Sequence, residues 1–278
     1  MKYLAHANAR IDKAILAKRR LRELLREQRA TRREELVLRG VDQSVGLRES
    51  GIKWLGATPE HWRIVRLKHV TQNLDSRRVP LDSVERGKME SRRYDYYGAS
   101  GVIDKVDDYI FDETLILLAE DGANLVLRNL PLAIRVDGKC WVNNHAHVLR
   151  VLDADVDYLV HRLELLDFSP WLTGAAQPKL TGDRLMSISI SLPPLNEQRS
   201  IVKQLSLEFA EIDRVIKRLG KEIDFLNEFR SRLVVDVVTG QVDVRAIAES
   251  LPDTLEQDTE LDLLLDDDLE DVLGGSEE

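Results

Sequence analysis

The chain has 278 residues, of which 43% are hydrophobic, so it can bury the core of an ordinary domain and still supply extended helices. Its single cysteine, Cys140, cannot form an internal disulfide, and no apolar run approaches the roughly 20 residues that span a bilayer. No apolar segment of the signal-peptide type follows the N-terminal charges. These features argue against a secreted or membrane-spanning protein and predict a cytoplasmic location.

The charge is distributed unevenly along the chain. The net charge is −9, yet residues 252–278 contain twelve acidic residues and no basic ones, which leaves about +3 on residues 1–251. Residues 10–39 alone hold eleven Lys or Arg against five Asp or Glu. Residues 1–251 are mildly basic and therefore compatible with a polyanionic partner, whereas the acidic residues 252–278 are not.

Two long amphipathic helices are predicted, one over residues 1–39 and one over residues 194–240. In both segments apolar residues recur at spacings of three and four, and each segment ends beside a glycine. The predicted packing seam consists of Ile11, Ile15, Leu25, Ile212, Ile216, Leu219, Ile223 and Leu226.

The two helices are copies of one internal repeat. Any two amphipathic helices share leucines and charges, but the common Ala-x-Ile-Asp-x-x-Ile sequence makes a chance match less attractive. We expect an antiparallel coiled coil, formed within one chain or between two. The identities at an offset of 201 positions are Lys2/Lys203, Leu4/Leu205, Ala9/Ala210, Ile11/Ile212, Asp12/Asp213, Ile15/Ile216, Leu25/Leu226, Glu27/Glu228, Arg29/Arg230 and Val37/Val238.

A linker, a mixed domain and a tail make up the rest of the chain. Residues 40–61 form a glycine-containing linker, in which Trp54, together with Trp62, is expected to fasten the chain to a neighbouring surface. Residues 62–193 form the domain. Residues 241–278 are an acidic tail for which we expect disorder.

Within the domain, the hydrophobic pattern predicts strands at residues 62–67, 109–118 and 187–192 and a short helix at 156–166. Strands and helices do not alternate regularly, so a doubly wound sheet is not indicated. The predicted fold class is α+β, with one mixed α/β domain flanked by the two long helices.

Several stretches resemble the specificity subunits of type I restriction-modification systems. Glu49–Trp62 looks like the family's entry into a target recognition domain, and Pro193–Val202 is similar to its exit into a spacer helix. Further stretches between them resemble one common class of these domains. Those stretches are Gly98–Asp104, Ala119–Asn124, Trp141–His147 and Gly174–Leu180.

The resemblance covers roughly residues 2–240 and implies a subunit that selects a DNA target. Such subunits hold two adenine methyltransferase subunits and dock with a translocating restriction subunit. S-adenosylmethionine and ATP would be bound by those partners, and no cofactor or metal by this chain.

A full specificity subunit alternates two recognition domains with two spacer helices, whereas residues 2–39 resemble a spacer helix with no recognition domain before it. We therefore expect a half-sized or truncated subunit with one target recognition domain. It would act alone, pair with itself as a homodimer, or complete a second specificity chain.

Reading a sequence in double-stranded DNA requires side chains that match the donors and acceptors of base edges. Arg77 and Arg78 are better suited to phosphates than to bases, or form a solvated charge pair. Asn143, Asn144 and His145 are equally able to form turns that satisfy their own backbone. The full set of DNA-binding candidates is Arg77, Arg78, Arg92, Arg93, Tyr97, Asn143, Asn144, His145, Gln177 and Lys179.

Glu120 and Asp121 are the one pair of carboxylates that suggests a metal site. They precede a glycine and have no His or Cys cluster at ligand spacing in the sequence. A loop that satisfies its own backbone is therefore the favoured interpretation.

Two other function classes compete with DNA reading. An enzyme is disfavoured because the chain lacks the Asn/Asp-Pro-Pro-Tyr/Phe motif of amino methylation and a glycine-rich nucleotide loop. A coiled-coil scaffold that binds only protein, or an inactive fragment, would lack sequence-selective and salt-sensitive DNA binding.

The predicted helices suit a spacer, because about 30 helical residues span roughly 45 Å, or about 13 base pairs.

Overall fold

The computed structural model describes residues 1–174 and 178–253. Among these residues no helix is both long enough and apolar enough to cross a membrane. The helices of this part are α1 (Lys2–Arg39), α2 (Leu67–Val70), α3 (Ser83–Gly87), α4 (Asn124–Leu127), α5 (Val156–Glu164), α6 (Gly182–Ser187), α7 (Leu195–Val238) and α8 (Arg245–Ser250). Its strands are β1 (Leu47–Glu49), β2 (Ala57–Pro59), β3 (Arg63–Arg66), β4 (Thr71–Asn73), β5 (Tyr94–Gly98), β6 (Gly101–Val106), β7 (Phe111–Asp112), β8 (Leu115–Ala119), β9 (Ala133–Val136), β10 (Lys139–Val142), β11 (Ala146–Val151) and β12 (Ser189–Leu192).

The chain divides into two compact units. The helix-pair unit comprises Met1–Ala30 and Glu208–Glu278, of which residues up to 253 are described. The mixed unit comprises Thr31–Leu207. Helices α1 and α7 each contribute residues to both units.

In the helix-pair unit, α1 and α7 run antiparallel. Asp12 pairs with Arg230 at 2.7 Å, and Lys18 pairs with Glu222 at 2.6 Å. Arg29, later in α1, lies 3.5 Å from Asp213, earlier in α7. Because partner numbers in α7 fall as residue numbers in α1 rise, the two helices point in opposite directions.

The interface between these helices is apolar at its centre. Ile11, Ile15 and Ile223 are buried together, with Leu226 and Leu233 packed against them. Of the other predicted seam residues, Leu219 is buried, and the half-buried ones are Leu25, Ile212 and Ile216. The predicted antiparallel helix pair is confirmed, and both of its helices come from the same chain.

The beginning of the expected tail is ordered against the start of α1. Lys2 pairs with Asp253 at 2.7 Å, and a ring nitrogen of His6 lies 2.9 Å from the carbonyl oxygen of Pro252. Residues 245–250 form α8, so the expected disorder does not hold for them. Residues 254–278, which hold most of the acidic tail, lie outside the described residues.

Two four-stranded sheets form the centre of the mixed unit. One has the order β4–β11–β8–β9 and is antiparallel throughout. The other has the order β6–β5–β10–β7, in which β10 runs parallel to β5. Residues of both sheets share one buried cluster: Leu74, Phe111, Leu115, Leu117, Val136, Cys140, Val142, Ala146 and Val148.

The strand predicted at residues 109–118 is two strands in the structure. β7 belongs to one four-stranded sheet and β8 to the other, so the chain changes sheets at residues 113–114. All five residues of β8 are buried. A strand that is covered on both faces has a continuous apolar run without alternation. The hydrophobic pattern of β8 therefore gave no boundary with β7, and the two were predicted as one strand.

The remaining predicted elements of the domain are confirmed. Strands β3 and β12 occupy the predicted positions and pair antiparallel with each other, which joins the beginning and the end of the domain. α5 lies within the predicted helix at 156–166. The linker contains an unpredicted strand pair, β1 with β2.

The motif at the start of α7 holds the first turn of this helix against other residues of the mixed unit. The indole Nε1 of Trp62 donates to Glu197 at 3.1 Å. The Gln198 amide donates to the carbonyl oxygen of Pro193 and accepts from the backbone N–H of Asp155, both at 2.7 Å. Trp54 packs edge-on against Trp171 at 4.9 Å, so both tryptophans fasten the chain as predicted.

Candidate nucleic-acid interface

Four segments that are distant in sequence meet at one edge of the sheet that contains β11. The end of β8 and the beginning of β11 lie at this edge, because Ala119 pairs with Ala146 in an antiparallel register. The segments, which together we call the loop edge, are residues 73–78, 120–124, 143–147 and 178–182.

Backbone hydrogen bonds join these segments directly. Glu120 N–H donates to the carbonyl oxygen of His145 at 3.0 Å, and Leu180 N–H donates to that of Glu120 at 2.8 Å. Gly122 N–H donates to the carbonyl oxygen of Pro178 at 3.1 Å. The end of β5 adjoins the same edge, since Asn143 N–H donates to the carbonyl oxygen of Tyr97 at 3.0 Å.

Glu120 is the central anion of the loop edge. Its carboxylate pairs with the Arg78 guanidinium and, at 3.1 Å, with the ammonium group of Lys179. The sequence favoured a backbone-satisfying loop over a metal site here, and it did not predict these side-chain ion pairs. Glu120 is buried, and a buried carboxylate requires paired cations rather than water.

Arg78 and Lys179 share this carboxylate but differ in exposure. The Arg78 side chain is 13% exposed and also donates to the carbonyl oxygen of Ala146 at 2.8 Å. The Lys179 side chain is 50% exposed. The Arg78 side chain is thus enclosed within the domain, whereas half of the Lys179 side chain stays open to solvent.

His147 and Asp75 form the buried side of the cluster. The Nδ1 atom of His147 lies 2.6 Å from Asp75 Oδ2, and its Nε2 atom lies 2.8 Å from the carbonyl oxygen of Leu180. Burial alone would raise the pKa of Asp75, but the hydrogen bond and charge of His147 outweigh it and lower that pKa. For Glu120 burial is likewise outweighed, chiefly by Arg78, and its pKa is lowered.

Asp75, Glu120 and His147 bring potential metal-ligand atoms within 4.8 Å of one another. However, both ring nitrogens of His147 face oxygen acceptors, and the Glu120 carboxylate already pairs with two cations. A metal needs a free lone pair on the imidazole. These side chains fit an internal ion network better than a metal site.

Asn143, Asn144 and His145 form the turn before β11. Asn143 is buried, and its side-chain oxygen accepts the backbone N–H of His145 at 2.8 Å, so the turn interpretation describes its side chain. Asn144 and His145 are exposed, and His145 Nδ1 lies 2.9 Å from Asp121. The exposed side chains of the loop edge therefore include Asn144, His145 and Lys179.

Arg77 and Tyr97 lie beside the loop edge with part of their surface covered. Arg77 donates to the carbonyl oxygen of Ile110 at 2.9 Å and stacks over the ring of Phe111 at 4.6 Å. Tyr97 is half-buried in β5, and burial, aided by the charge of Asp95, raises its pKa.

Arg92 and Arg93 precede β5. Arg92 has a left-handed backbone (φ 43°), and its side chain contacts Asp104 at 3.3 Å. Arg93 is exposed. Gln177, the last candidate, lies outside the described residues.

Sequence reasoning missed the ion network itself. Asp75 and Glu120 were not recognised as partners of Arg78, although Glu120 directly follows the buried apolar strand β8. A carboxylate at the end of a buried strand is a usable signal, because it needs a cation nearby.

A family model described as the type I restriction modification DNA specificity domain matches residues 59–223. The chain is 35% identical over 154 residues to a Haemophilus influenzae protein whose name assigns it to type I restriction enzyme specificity subunits; the match covers 55% of this chain and 38% of that protein. It is 25% identical over 259 residues to the MjaVIII type I restriction enzyme specificity subunit of Methanocaldococcus jannaschii, covering 80% and 55% of the two chains.

A solved structure from work on complex assembly and conformational transition of the type I R-M system has a similar fold. Its TM-score is 0.53 at 17% identity, over 82% of this chain and 57% of that chain. The chain therefore spans roughly half the length of the relatives that it matches.

Proposed function

Because the chain belongs to the type I restriction modification DNA specificity family, we propose that it is the DNA-reading subunit of an adenine methyltransferase complex. In this role it reads one half-site of a bipartite target and performs no catalysis itself. The observation that supports this proposal most directly is the convergence of four sequence-distant segments at the loop edge. A scaffold that binds only protein would not require this convergence.

The exposed groups of the loop edge match the chemistry of base edges. Asn144 can donate to and accept from adenine, and Lys179 can donate to the acceptors of guanine. His145 supplies a further polar group beside them. Arg93, exposed and outside the ion network, is suited to a phosphate, which positions the protein without reading sequence.

The partners follow from the same role. The helix pair would hold methyltransferase subunits and, through them, the restriction subunit. We expect the partner subunits to bind S-adenosylmethionine and ATP. The complex is expected to act in the cytoplasm.

Binding to DNA by the chain assembled with its methyltransferase tests this proposal. We expect preference for one short sequence and an affinity that falls steeply with salt, by about 10³-fold or more between 50 and 200 mM for six or more phosphate contacts. Salt-insensitive binding, or equal binding to all sequences, would favour the scaffold. Methyl transfer by this chain alone would identify an enzyme instead.

The helix pair suggests what reads the other half-site. Asp12 pairs with Arg230, and Arg29 pairs with Asp213. The 201-residue repeat makes Asp12 equivalent to Asp213 and Arg29 equivalent to Arg230. Interchanging the two helix copies therefore converts one ion pair into the other. This is the arrangement expected when an approximate two-fold axis relates α1 to α7.

The two helix copies differ in what covers their last turn. Val37 in α1 is 0% exposed, and the Tyr158 hydroxyl donates to its carbonyl oxygen at 3.0 Å. The equivalent Val238 in α7 is 71% exposed, and Val235 beside it is also exposed. This difference supports a second recognition domain packing on the end of α7, supplied by a second copy or by another specificity chain.

A further inference from the structure

α1 is far more basic than the helix that repeats it. Residues 10–29 of α1 hold eight Lys or Arg against three Asp or Glu, whereas the equivalent residues 211–230 of α7 hold five of each. Because α7 forms the same helix pair without such an excess, pairing of the two helices does not require it. The surplus cations of α1 therefore serve a contact other than the one with α7.

Part of this charge lies on one face of α1. Residues three, four or seven positions apart in a helix share a face, and such steps lead from Lys2 along the helix to Leu24. Arg10, Lys13 and Arg20 are exposed on this face. We call the face the basic stripe, and it comprises Lys2, His6, Arg10, Lys13, Arg20 and Leu24.

The far end of the basic stripe also offers an apolar contact. Leu24 and the neighbouring Leu21 are both 45% exposed. Arg20 lies beside them, and its ion pair with Glu23 is a long surface pair of 3.6 Å, which binds weakly. A ligand along the stripe would therefore meet cations first and two exposed leucines at the end.

The acidic tail starts at the beginning of the basic stripe. Lys2 pairs with Asp253 at 2.7 Å, and a ring nitrogen of His6 lies 2.9 Å from the carbonyl oxygen of Pro252. Lys2 and Leu24 are about 33 Å apart along the helix. The 25 residues from 254 to 278 can span up to about 80 Å when extended, so they are long enough to follow the stripe.

Residues 254–278 complement the basic stripe in charge and in apolar character. They contain eleven acidic residues, no basic ones and seven leucines, several of which alternate with acids between Leu261 and Leu273. Opposite charges attract at distances up to about 10 Å in dilute salt. Because Asp253 is already held at Lys2, the following residues have a high effective concentration beside the stripe.

We propose that residues 254–278 dock along the basic stripe of α1 and compete there with DNA phosphates. Their carboxylates pair with Arg10, Lys13 and Arg20, and their leucines pack against Leu21 and Leu24. The effect on DNA rests on the proposed function. An occupied stripe attracts fewer phosphates, which lowers sequence-independent binding and so increases the preference for the target sequence.

Photo-crosslinking in the full-length chain tests the docking. A benzophenone amino acid replaces Leu269, and mass spectrometry locates its adducts. We expect adducts on residues 10–24 of the same chain, most of which disappear at about 0.5 M salt because the charges are screened. The stripe variant, Arg10→Gln with Arg20→Gln, should abolish them.

A control variant removes the same charge from another face of α1. It combines Arg19→Gln with Arg26→Gln, two exposed arginines that lie outside the basic stripe. Its adducts should match those of the wild type. General attraction between a basic helix and an acidic tail would instead affect the stripe variant and the control variant equally.

Binding to a random-sequence duplex at about 50 mM salt tests the competition. A serine variant weakens docking without changing the net charge. A stripe that is free about a tenth of the time binds about tenfold more weakly, so we expect the serine variant to bind about tenfold more tightly. This gain should vanish in the stripe variant and persist in the control variant. The serine variant replaces Leu261, Leu263, Leu264 and Leu265.

The outcomes separate this proposal from the proposed function. Absence of adducts, or adducts on a second copy, on added methyltransferase or elsewhere in the chain, overturns the docking. Equal loss of adducts in the stripe and control variants also overturns it. Adducts on the stripe without tighter DNA binding by the serine variant overturn the competition. Absence of any sequence preference would contradict the proposed function, whereas the crosslinks, measured without DNA, would still support the docking.

Discussion

Lys179 contacts Glu120 at 3.1 Å while half of its side chain stays exposed, and Arg78, which shares the same carboxylate, is almost enclosed. The two cations therefore differ in accessibility, although the sequence makes them look alike. Arg78 is held inside the domain, whereas half of the Lys179 side chain is open to solvent.

Lys179→Ala should lower affinity for the preferred DNA sequence by about tenfold and affect a mismatched sequence less, because a base contact worth 1–3 kcal/mol is lost. Fluorescence anisotropy with the assembled methyltransferase measures both affinities. Lys105→Ala is the matched control, since Lys105 is an exposed lysine that pairs with Asp95 between β5 and β6. Equal losses on both sequences would instead identify Lys179 as a phosphate contact.

Arg78→Ala should destabilise the mixed unit by about 3 kcal/mol, because Glu120 then keeps its charge in a buried position without its closest partner. Urea unfolding followed by tryptophan fluorescence reports this unit. Arg93→Ala provides the comparison: the residue is exposed, so its free energy of unfolding should change by less than about 0.5 kcal/mol. Equal stability of the two variants would contradict the internal role of Arg78.

The acid sensitivity of the mixed unit should follow Asp75 and Glu120. Burial would raise their pKa values, but His147 and Arg78 lower them below the ordinary range. Such carboxylates contribute stability that is complete above the unfolded pKa, about 4, and is lost as pH falls through the lowered folded value. Unfolding midpoints should therefore decline from about pH 5 towards pH 2. Glu120→Gln should weaken this decline, and an unchanged slope would exclude a contribution from Glu120.

Ile223→Ala should destabilise the helix-pair unit by about 3 kcal/mol, since the residue is buried against Ile11 and Ile15. Val215→Ala, at an exposed position of the same helix, should cost much less. Thermal unfolding followed by circular dichroism at 222 nm measures the helical transition. Similar midpoints for both variants would argue against the observed helix interface.

Val238→Asp should prevent a second recognition domain from packing on the end of α7, because it places a charge within an apolar contact. The melting temperature should stay close to that of the wild type, since Val238 is 71% exposed. Analytical ultracentrifugation and methylation of bipartite sites provide the readouts, with the exposed Val84→Asp in α3 as control. Unchanged assembly and methylation would place the second domain elsewhere.

Helical periodicity was sufficient to predict α1 and α7, because their apolar residues repeat over many turns and Gly40 and Gly240 follow their ends. It did not reveal β11, whose buried residues include His147 within an apolar run. A strand covered on both faces gives no alternating pattern, so its position depends on partners elsewhere in the chain.

The candidate site was predictable only in part. The motifs around Asn143 and Lys179 were found, but their meeting at one edge follows from the pairing of β8 with β11. The Arg78 side chain is enclosed in the domain because its guanidinium pairs with the carboxylate of Glu120, 42 residues away. No local pattern contains that information, because the ion pair forms only after the sheet has assembled.

The most direct test of the central claim is to map methylated adenines in cells that express this chain with its methyltransferase. A variant with Asn144, His145 and Lys179 all replaced by alanine is mapped in parallel. We predict one bipartite motif for the wild type and loss or relaxation of one half of that motif in the variant. The same motif from both chains, or no motif from the wild type, would contradict DNA reading by the loop edge.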